Sequence, residues 1–383
     1  MRDVRGMRAQ RPAFRSAALN INESSHVQLY SPTTLGALAL SNRVVMAPLT
    51  RMRAGAEGVP NDLLVEHYRQ RASLGLIVTE GTFTSPVSRA YPGQPGIVTD
   101  EQIAGWRRVT DAVHSEGGTI VMQLMHGGRV SHPDITGGLL PVAPSAIAIE
   151  GDTHTPLGKK PFPVPHALKT VEASAIANEL VTAAKNAIEA GFDGVEVHSA
   201  NGYLLHEFLS PASNVRTDVY GGSPENRARL GIETVTAVAK AIGAGRVGIR
   251  ISPSHNIQDV FETDATETRA TYEALVDGIA PLELAYLSVL HREPAGEFVQ
   301  NLRTRFGGPL MANSGFGQLT TRDEALDFVE NGSAEVVAVG RQAIANPDLV
   351  RRWKGDHPLN EPNPQTFYGA GAEGYTDYPA LAG

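Results

Sequence analysis

Short runs of aliphatic and β-branched residues alternate with longer segments of helical period from Leu29 onward. Asn42–Thr50 is an apolar run stopped by Pro48 and reads as a first strand. Asn61 stands at an N-cap, and Leu64, Tyr68 and Ala72 recur at four-residue steps, which predicts a helix over Asn61–Ser73. Leu74–Phe83 predicts a second strand, Glu101–Glu116 a second helix and Thr119–Met125 a third strand. Prolines 133, 141, 144, 156, 161, 163 and 165 then interrupt the rhythm over 126–170 and exclude a long helix. Connections of that length are usually functional or disordered, and this one reads as a Pro-rich lid with a short hairpin over one end of the fold.

The alternation resumes with a helix over Val171–Ala190, where Ile176, Leu180, Ala184 and Ile188 share a face, and a strand over Phe192–His198. Ser223 as N-cap and Pro224 at the first helical position open the next helix. Strands follow at Arg246–Ser252, Leu284–Leu290, Pro309–Asn313 and Glu335–Val339. Helices are predicted at Ala265–Gly278, around Phe298–Arg305, at Thr321–Asn331 and, closing the chain, at Ile344–Lys354. Eight short apolar strands alternating with helices predict an α/β fold, a single parallel (β/α)8 TIM barrel over 27–383 with the lid, about 126–170, inserted after strand 3. An open doubly wound sheet is the rival. It calls for spaced glycines after the first strand, where this chain has Pro48-Leu49-Thr50-Arg51.

Residues 1–26 differ from the rest. Arg2, Arg5, Arg8, Arg11 and Arg15 precede no apolar core, so a secretory signal is not indicated. The stretch reads as a disordered or extraneous leader with a weak likeness to a transit peptide. Composition narrows the function classes. A net charge of −8 argues against nucleic acid as a bulk electrostatic partner. The absence of cysteine removes disulfides, thiolate nucleophiles and cysteine-held zinc or iron–sulfur centres, and fits a cytoplasmic protein. No window approaches the ~20 apolar residues of a membrane helix.

In a parallel barrel the chemistry lies at the carboxyl ends of the strands. Those positions hold Thr50, Gly81, Gln123, His198 with Asn201, Arg250, Ser314-Gly315 and Gly340-Arg341. Paired carboxylates at strand ends, as a glycosidase needs, are not there except for Glu80 and Glu196, each just inside. Nor is a metal-ligand spacing; His126, His132 and His198 lack a partner to complete one. The fourth strand runs into Val195-Glu196-Val197-His198-Ser199-Ala200-Asn201-Gly202-Tyr203, where Gly202 permits a sharp turn. That turn can bring His198, Asn201 and Tyr203 together as two hydrogen-bond donors and a hydroxyl acid. Glycines past the seventh and eighth strands, with Arg341, suit a phosphate. Gln123 can pair with an imide edge, Arg250 can stabilise negative charge on a reduced ring, and Thr50 can donate to a ring carbonyl. Together these positions fit a flavin mononucleotide.

The chain resembles the old yellow enzymes, the classical FMN-dependent ene-reductases. The likeness rests on Leu29-Tyr30-Ser31-Pro32, Asn42–Arg51, Tyr91–Ile97, Gln123–Arg129, His198–Pro211 and Asn214–Arg227. Val339-Gly340-Arg341, Ala345–Leu349 and Thr376–Pro379 extend it, so that it runs in order from about Leu29 to Pro379. The resemblance implies that Thr50 bonds the flavin O4, Gln123 the pyrimidine edge and Arg250 the N1–O2 side. It implies that Pro48, Leu49 and Gly81 line the ring and that Ser314, Gly315, Gly340 and Arg341 hold the phosphate. His198 and Asn201 then bind a carbonyl or nitro oxygen, Tyr203 supplies a proton, and Tyr368 belongs to a C-terminal stretch that closes the pocket. The implied partners are NADPH or NADH and an enone, maleimide or nitroalkene, with a monomer or dimer as the assembly. Two departures bear on substrate preference: Met125 stands where several family members carry an aromatic, and Ser252–Ile257 lacks the bulky aromatic of yeast members. Reductive denitration of nitrate esters or nitroaromatics in the same site, and a non-catalytic flavin-binding protein, are the alternative functions.

Overall fold

The computed structural model describes residues 28–382. The predicted leader, residues 1–26, lies outside them. Eight parallel strands form a closed barrel: β1 (Val44–Met46), β2 (Leu76–Val78), β3 (Ile120–Met125), β4 (Gly194–Ser199), β5 (Val247–Ile251), β6 (Tyr286–Leu290), β7 (Leu310–Asn313) and β8 (Val336–Val339). Each pairs with its successor, and β8 closes on β1 through Val337↔Val44 and Val339↔Met46. The doubly wound rival is thereby excluded, because an open sheet leaves two edges.

Two apolar layers hold the barrel. Along β4, Val195 and Val197 face the helices and join a cluster with Leu180, Leu230 and Trp106, while Glu196 and His198 alternate inward. Inside the barrel, Val45, Leu76, Val121, Met311 and Val336 pack against Leu35, Leu38 and Leu40. Those three leucines belong to an antiparallel hairpin, Thr33–Leu35 with Leu38–Leu40, which plugs the amino-terminal end of the barrel. The plug leaves the carboxyl end free for a site.

The helices start where capping chemistry places them. The Asn61 side chain accepts from the N–H groups of Leu63 and Leu64, and Ser223 accepts from Asn226 ahead of Pro224. The closing helix needs correction. Instead of one helix over 344–354 there are two, Arg341–Ala345 and Leu349–Lys354. Pro347 cannot donate to a helical ladder, and Asn346 turns its amide to the carbonyls of Gln342 and Asn360. A helix at Leu204–Leu209, right after Tyr203, was not predicted. The segment after β3 carries an antiparallel hairpin, Asp152–Thr155 with Gly158–Pro161, and a short parallel pairing of His166–Ala167 with Val142–Ala143.

Candidate active site

A cavity of about 1850 Å³ opens among the carboxyl ends of the strands, with Thr50, Gln123, His198, Asn201, Tyr203 and Tyr368 in its wall. Ligand sites commonly occupy ~300–1,000 Å³, so the space admits a cofactor and a second molecule beside it. The segment after β3 contributes Ile135, His154 and Phe162 to the wall.

His198 enters from the inward face of β4 and is 5% exposed. Its Nδ1 accepts from the Ala200 N–H at 3.2 Å, so in the neutral ring the proton sits on Nε2. Burial, and secondarily the Arg250 charge, holds its pKa well below the usual histidine value. The ring is therefore a neutral imidazole with one N–H to offer.

Asn201 is held in the left-handed region at φ 56°, which asparagine tolerates better than most residues. Its backbone N–H donates to Ser252 Oγ at 2.8 Å, and its carbonyl accepts from Gln258 Nε2 at 2.9 Å. Its side-chain oxygen is buried without a partner, an unmet polar group at the cavity wall. Gly202 follows at φ 81°, where a Cβ would come within 2.8 Å of the Ile257 carbonyl, so this turn excludes other residues. The Gly202 N–H donates to His206 Nδ1, and His206 Nε2 in turn reaches Glu262 across 3.2 Å.

Tyr203 packs edge-on to His198 with ring centroids 5.0 Å apart. Its hydroxyl lies 2.8 Å from that of Tyr91. Burial, reinforced by Tyr91, pushes the Tyr203 phenol well above its usual pKa, so it keeps its proton at neutral pH.

Pro48, Leu49, Thr50 and Gln123 also border the cavity, as does Arg341, whose Nη2 donates to the Phe316 carbonyl at 2.6 Å. Gly81, Arg250, Ser314, Gly315 and Gly340 are not wall residues, but each adjoins the wall. A Cβ on Gly81 would fall 2.5 Å from Met125 Sδ and 3.4 Å from Gln123 Oε1; one on Gly340 would reach Leu49 Cδ2 at 3.5 Å. Ser314 and Gly315 directly precede the wall residue Phe316. Arg250 pairs in register with His198. Its Nη1 and Nη2 donate to Ser288 Oγ and Asn313 Oδ1, while Nε is buried with no partner. An unmet guanidinium N–H, an amide bordering the space and glycines behind it fit a flat heterocycle with a polar edge, as FMN has.

Three contributions were not assigned from sequence. Tyr91 opens the Tyr91–Ile97 stretch, and only the fold brings its hydroxyl to that of Tyr203. Gln258 sits in a loop after β5 and reaches the wall through a left-handed backbone, φ 58°. Arg51 and Arg53 border the cavity and hold the segment bearing Tyr368. Arg51 Nε donates to the Phe367 carbonyl at 2.9 Å, and Arg53 donates to those of Thr366, Gly371 and Glu373. Tyr368 itself is 65% exposed at the cavity mouth.

Residues 28–360 match the profile of the NADH:flavin oxidoreductase / NADH oxidase family. A probable flavin mononucleotide-dependent alkene reductase of Leishmania infantum is 43% identical over 362 residues, covering 92% of this chain and 97% of that protein. Among solved structures, the old yellow enzyme homologue of Zymomonas mobilis superposes with a TM-score of 0.87 at 38% identity, over 92% of this chain and 100% of the other. Morphinone reductase in complex with tetrahydroNAD superposes with a TM-score of 0.86 at 44% identity, over 92% and 98%.

Proposed function

Because the chain belongs to the NADH:flavin oxidoreductase / NADH oxidase family, as an FMN-dependent NAD(P)H oxidoreductase of the old yellow enzyme type, we propose that it reduces activated C=C bonds of α,β-unsaturated carbonyls, maleimides and nitroalkenes. The observation that carries this reading is the β4 turn, which joins a neutral histidine donor, a carboxamide and a proton-bearing phenol at one cavity wall. FMN, when bound, would supply the redox chemistry, hydride transfer between a nicotinamide and an electron-poor carbon.

The chain's own residues do the rest. Thr50, Gln123 and Arg250 would hold the polar edge of the flavin ring, with Pro48, Leu49 and Gly81 beside it. Ser314, Gly315, Gly340 and Arg341 would hold its phosphate. His198 Nε2–H and the Asn201 amide N–H donate to the substrate's carbonyl or nitro oxygen. Charge grows on that oxygen as the β-carbon is reduced, so fixed donors there favour the transition state over the ground state, by ~3 kcal/mol for each donor. Tyr203, neutral and buried, gives its proton to the α-carbon from the other side, which yields trans addition. Tyr368 and the Pro-rich segment 126–170 close over the bound pair and exclude water.

The test is a double substitution, His198→Ala with Asn201→Ala. Enone reduction falls at least ~100-fold from the loss of two oxyanion donors, and FMN stays bound. Unchanged turnover would remove the role given to the pair and favour a site that binds flavin without using these residues.

A further inference from the structure

Glu196 places an ionisable group where a barrel core does not need one. It is fully buried at the centre of β4, on the inward face it shares with His198. Its register partners are Gln123 on β3 and Gly248 on β5. Gln123 Nε2 donates to Glu196 Oε1 at 2.8 Å, and Glu196 Oε2 has no partner. The surrounding polar groups are also incompletely met. Arg250, two residues past Gly248, keeps an unpartnered Nε, and the buried Tyr286 hydroxyl faces Glu196 without closing a hydrogen bond to it. A carboxylate kept there outside a close ion pair pays a standing desolvation penalty, and an apolar side chain would pack the barrel with none.

The group has two consequences for the cavity above it. A carboxylate only accepts, so it selects the nitrogen end of the Gln123 carboxamide. Oε1 is left on the side of Gly81, where the cavity begins. A carboxylate behind a ligating side chain fixes its orientation in the same way around metal sites. Burial raises the Glu196 pKa and the Arg250 charge opposes that rise, so the two groups act on each other within a buried interior, where such interactions are weakly screened.

We propose that Glu196 is a positioning residue that sets the reduction potential of the bound flavin, by fixing the Gln123 carboxamide and by offsetting the Arg250 charge. The inference rests on the flavin reading above. Two-electron reduction puts negative charge on the pyrimidine half of the ring. Arg250 favours that charge and Glu196 disfavours it.

Spectroelectrochemical titration of the holoenzyme tests this. Glu196→Gln keeps an acceptor for Gln123 and removes the charge. It retains FMN through gel filtration and shifts the balance toward reduced flavin about tenfold, a rise of ~30 mV for a two-electron couple. Glu196→Leu removes both effects and loses FMN on the column, with an unchanged far-UV circular dichroism spectrum. Glu196→Asp, the recourse if Glu196→Gln does not fold, keeps the charge but not the reach, so its flavin content falls and its potential does not rise. Wild-type potential and flavin content in Glu196→Gln and Glu196→Leu, or a raised potential in Glu196→Asp, would reduce Glu196 to a buried core group. Failure of the underlying reading looks different: the wild-type protein itself takes up no FMN, and the role falls with it.

Discussion

The hydroxyls of Tyr91 and Tyr203 lie 2.8 Å apart, joining a loop after β2 to the turn after β4. One hydroxyl donates to the other, so the Tyr203 proton is oriented by a partner outside its own segment. Tyr203→Phe is expected to slow reduction of weakly activated enones by ~100-fold, the lower end of the usual worth of a positioned acid. Tyr91→Phe keeps the acid and loses only its partner, so its loss is smaller, about fivefold for a single neutral hydrogen bond. Maleimides, which draw a proton from solvent more readily, are affected less by either change. Stopped-flow rates of flavin reoxidation separate these cases. Equal rates for wild type and Tyr203→Phe with cyclohexenone would contradict the acid role.

Gly81 tests where the ring lies. An added Cβ would meet Met125 Sδ at 2.5 Å, the movable end of a flexible side chain, so the fold survives. Displaced Met125 intrudes on the cavity it borders. Gly81→Ala is expected to weaken FMN binding by ~10-fold or more, about 1.4 kcal/mol, with little change in melting temperature. A variant that binds FMN as tightly as the wild type would move the ring away from Gly81.

Glu207 gives stability a pH dependence. It is fully buried; one oxygen accepts from the Arg129 N–H at 2.9 Å, and the other has no partner. Burial pushes its pKa up to about 8, against 4.5 for an ordinary glutamate. The folded state thus binds this proton more tightly than the unfolded state does. The resulting stabilisation is complete below pH 4.5 and is lost as pH rises to about 8. Glu80, raised to about 6 by burial, adds a contribution of the same sign between 4.5 and 6. Glu207→Gln removes the larger contribution, so its melting temperature should fall less than that of the wild type between pH 5.5 and 8.5. Parallel curves for the two proteins would contradict this.

The C-terminal segment depends on buried arginines. Arg53 is 3% exposed, donates to several carbonyls of residues 366–373 and lies 4.4 Å from the Tyr375 ring centre. Arg53→Met leaves those carbonyls unpaired, at ~1–3 kcal/mol for each one that stays buried. The segment should then become the first site of limited proteolysis, and KM for the enone should rise more than kcat falls. Cleavage elsewhere first, with KM unchanged, would show that the segment is held by other contacts.

The barrel was legible because each strand carries its own apolar run and each helix its own period. The N-cap residues Asn61 and Ser223 placed helix starts to within a residue. The hairpin at Thr33–Leu40 was not legible, since three-residue strands have no period to detect. The break at Asn346-Pro347-Asp348 is marked in the sequence by Pro347, which cannot donate to a helical ladder. That His198, Asn201 and Tyr203 meet at one cavity wall was legible because one turn carries them all. Tyr91 and Gln258 were not, because their roles arise only where remote loops meet. Arg51 and Arg53 look like surface charges in sequence; they are buried because a distant segment offers them backbone carbonyls.

The central claim is that this cavity holds a flavin that a nicotinamide reduces and an enone reoxidises. Anaerobic visible spectroscopy of the purified protein tests it directly. A yellow protein is expected, bleached by NADPH or NADH under nitrogen and recoloured on adding cyclohexenone or N-ethylmaleimide. A colourless protein that takes up no FMN, or a bleached one that no electron-poor alkene recolours, would contradict it.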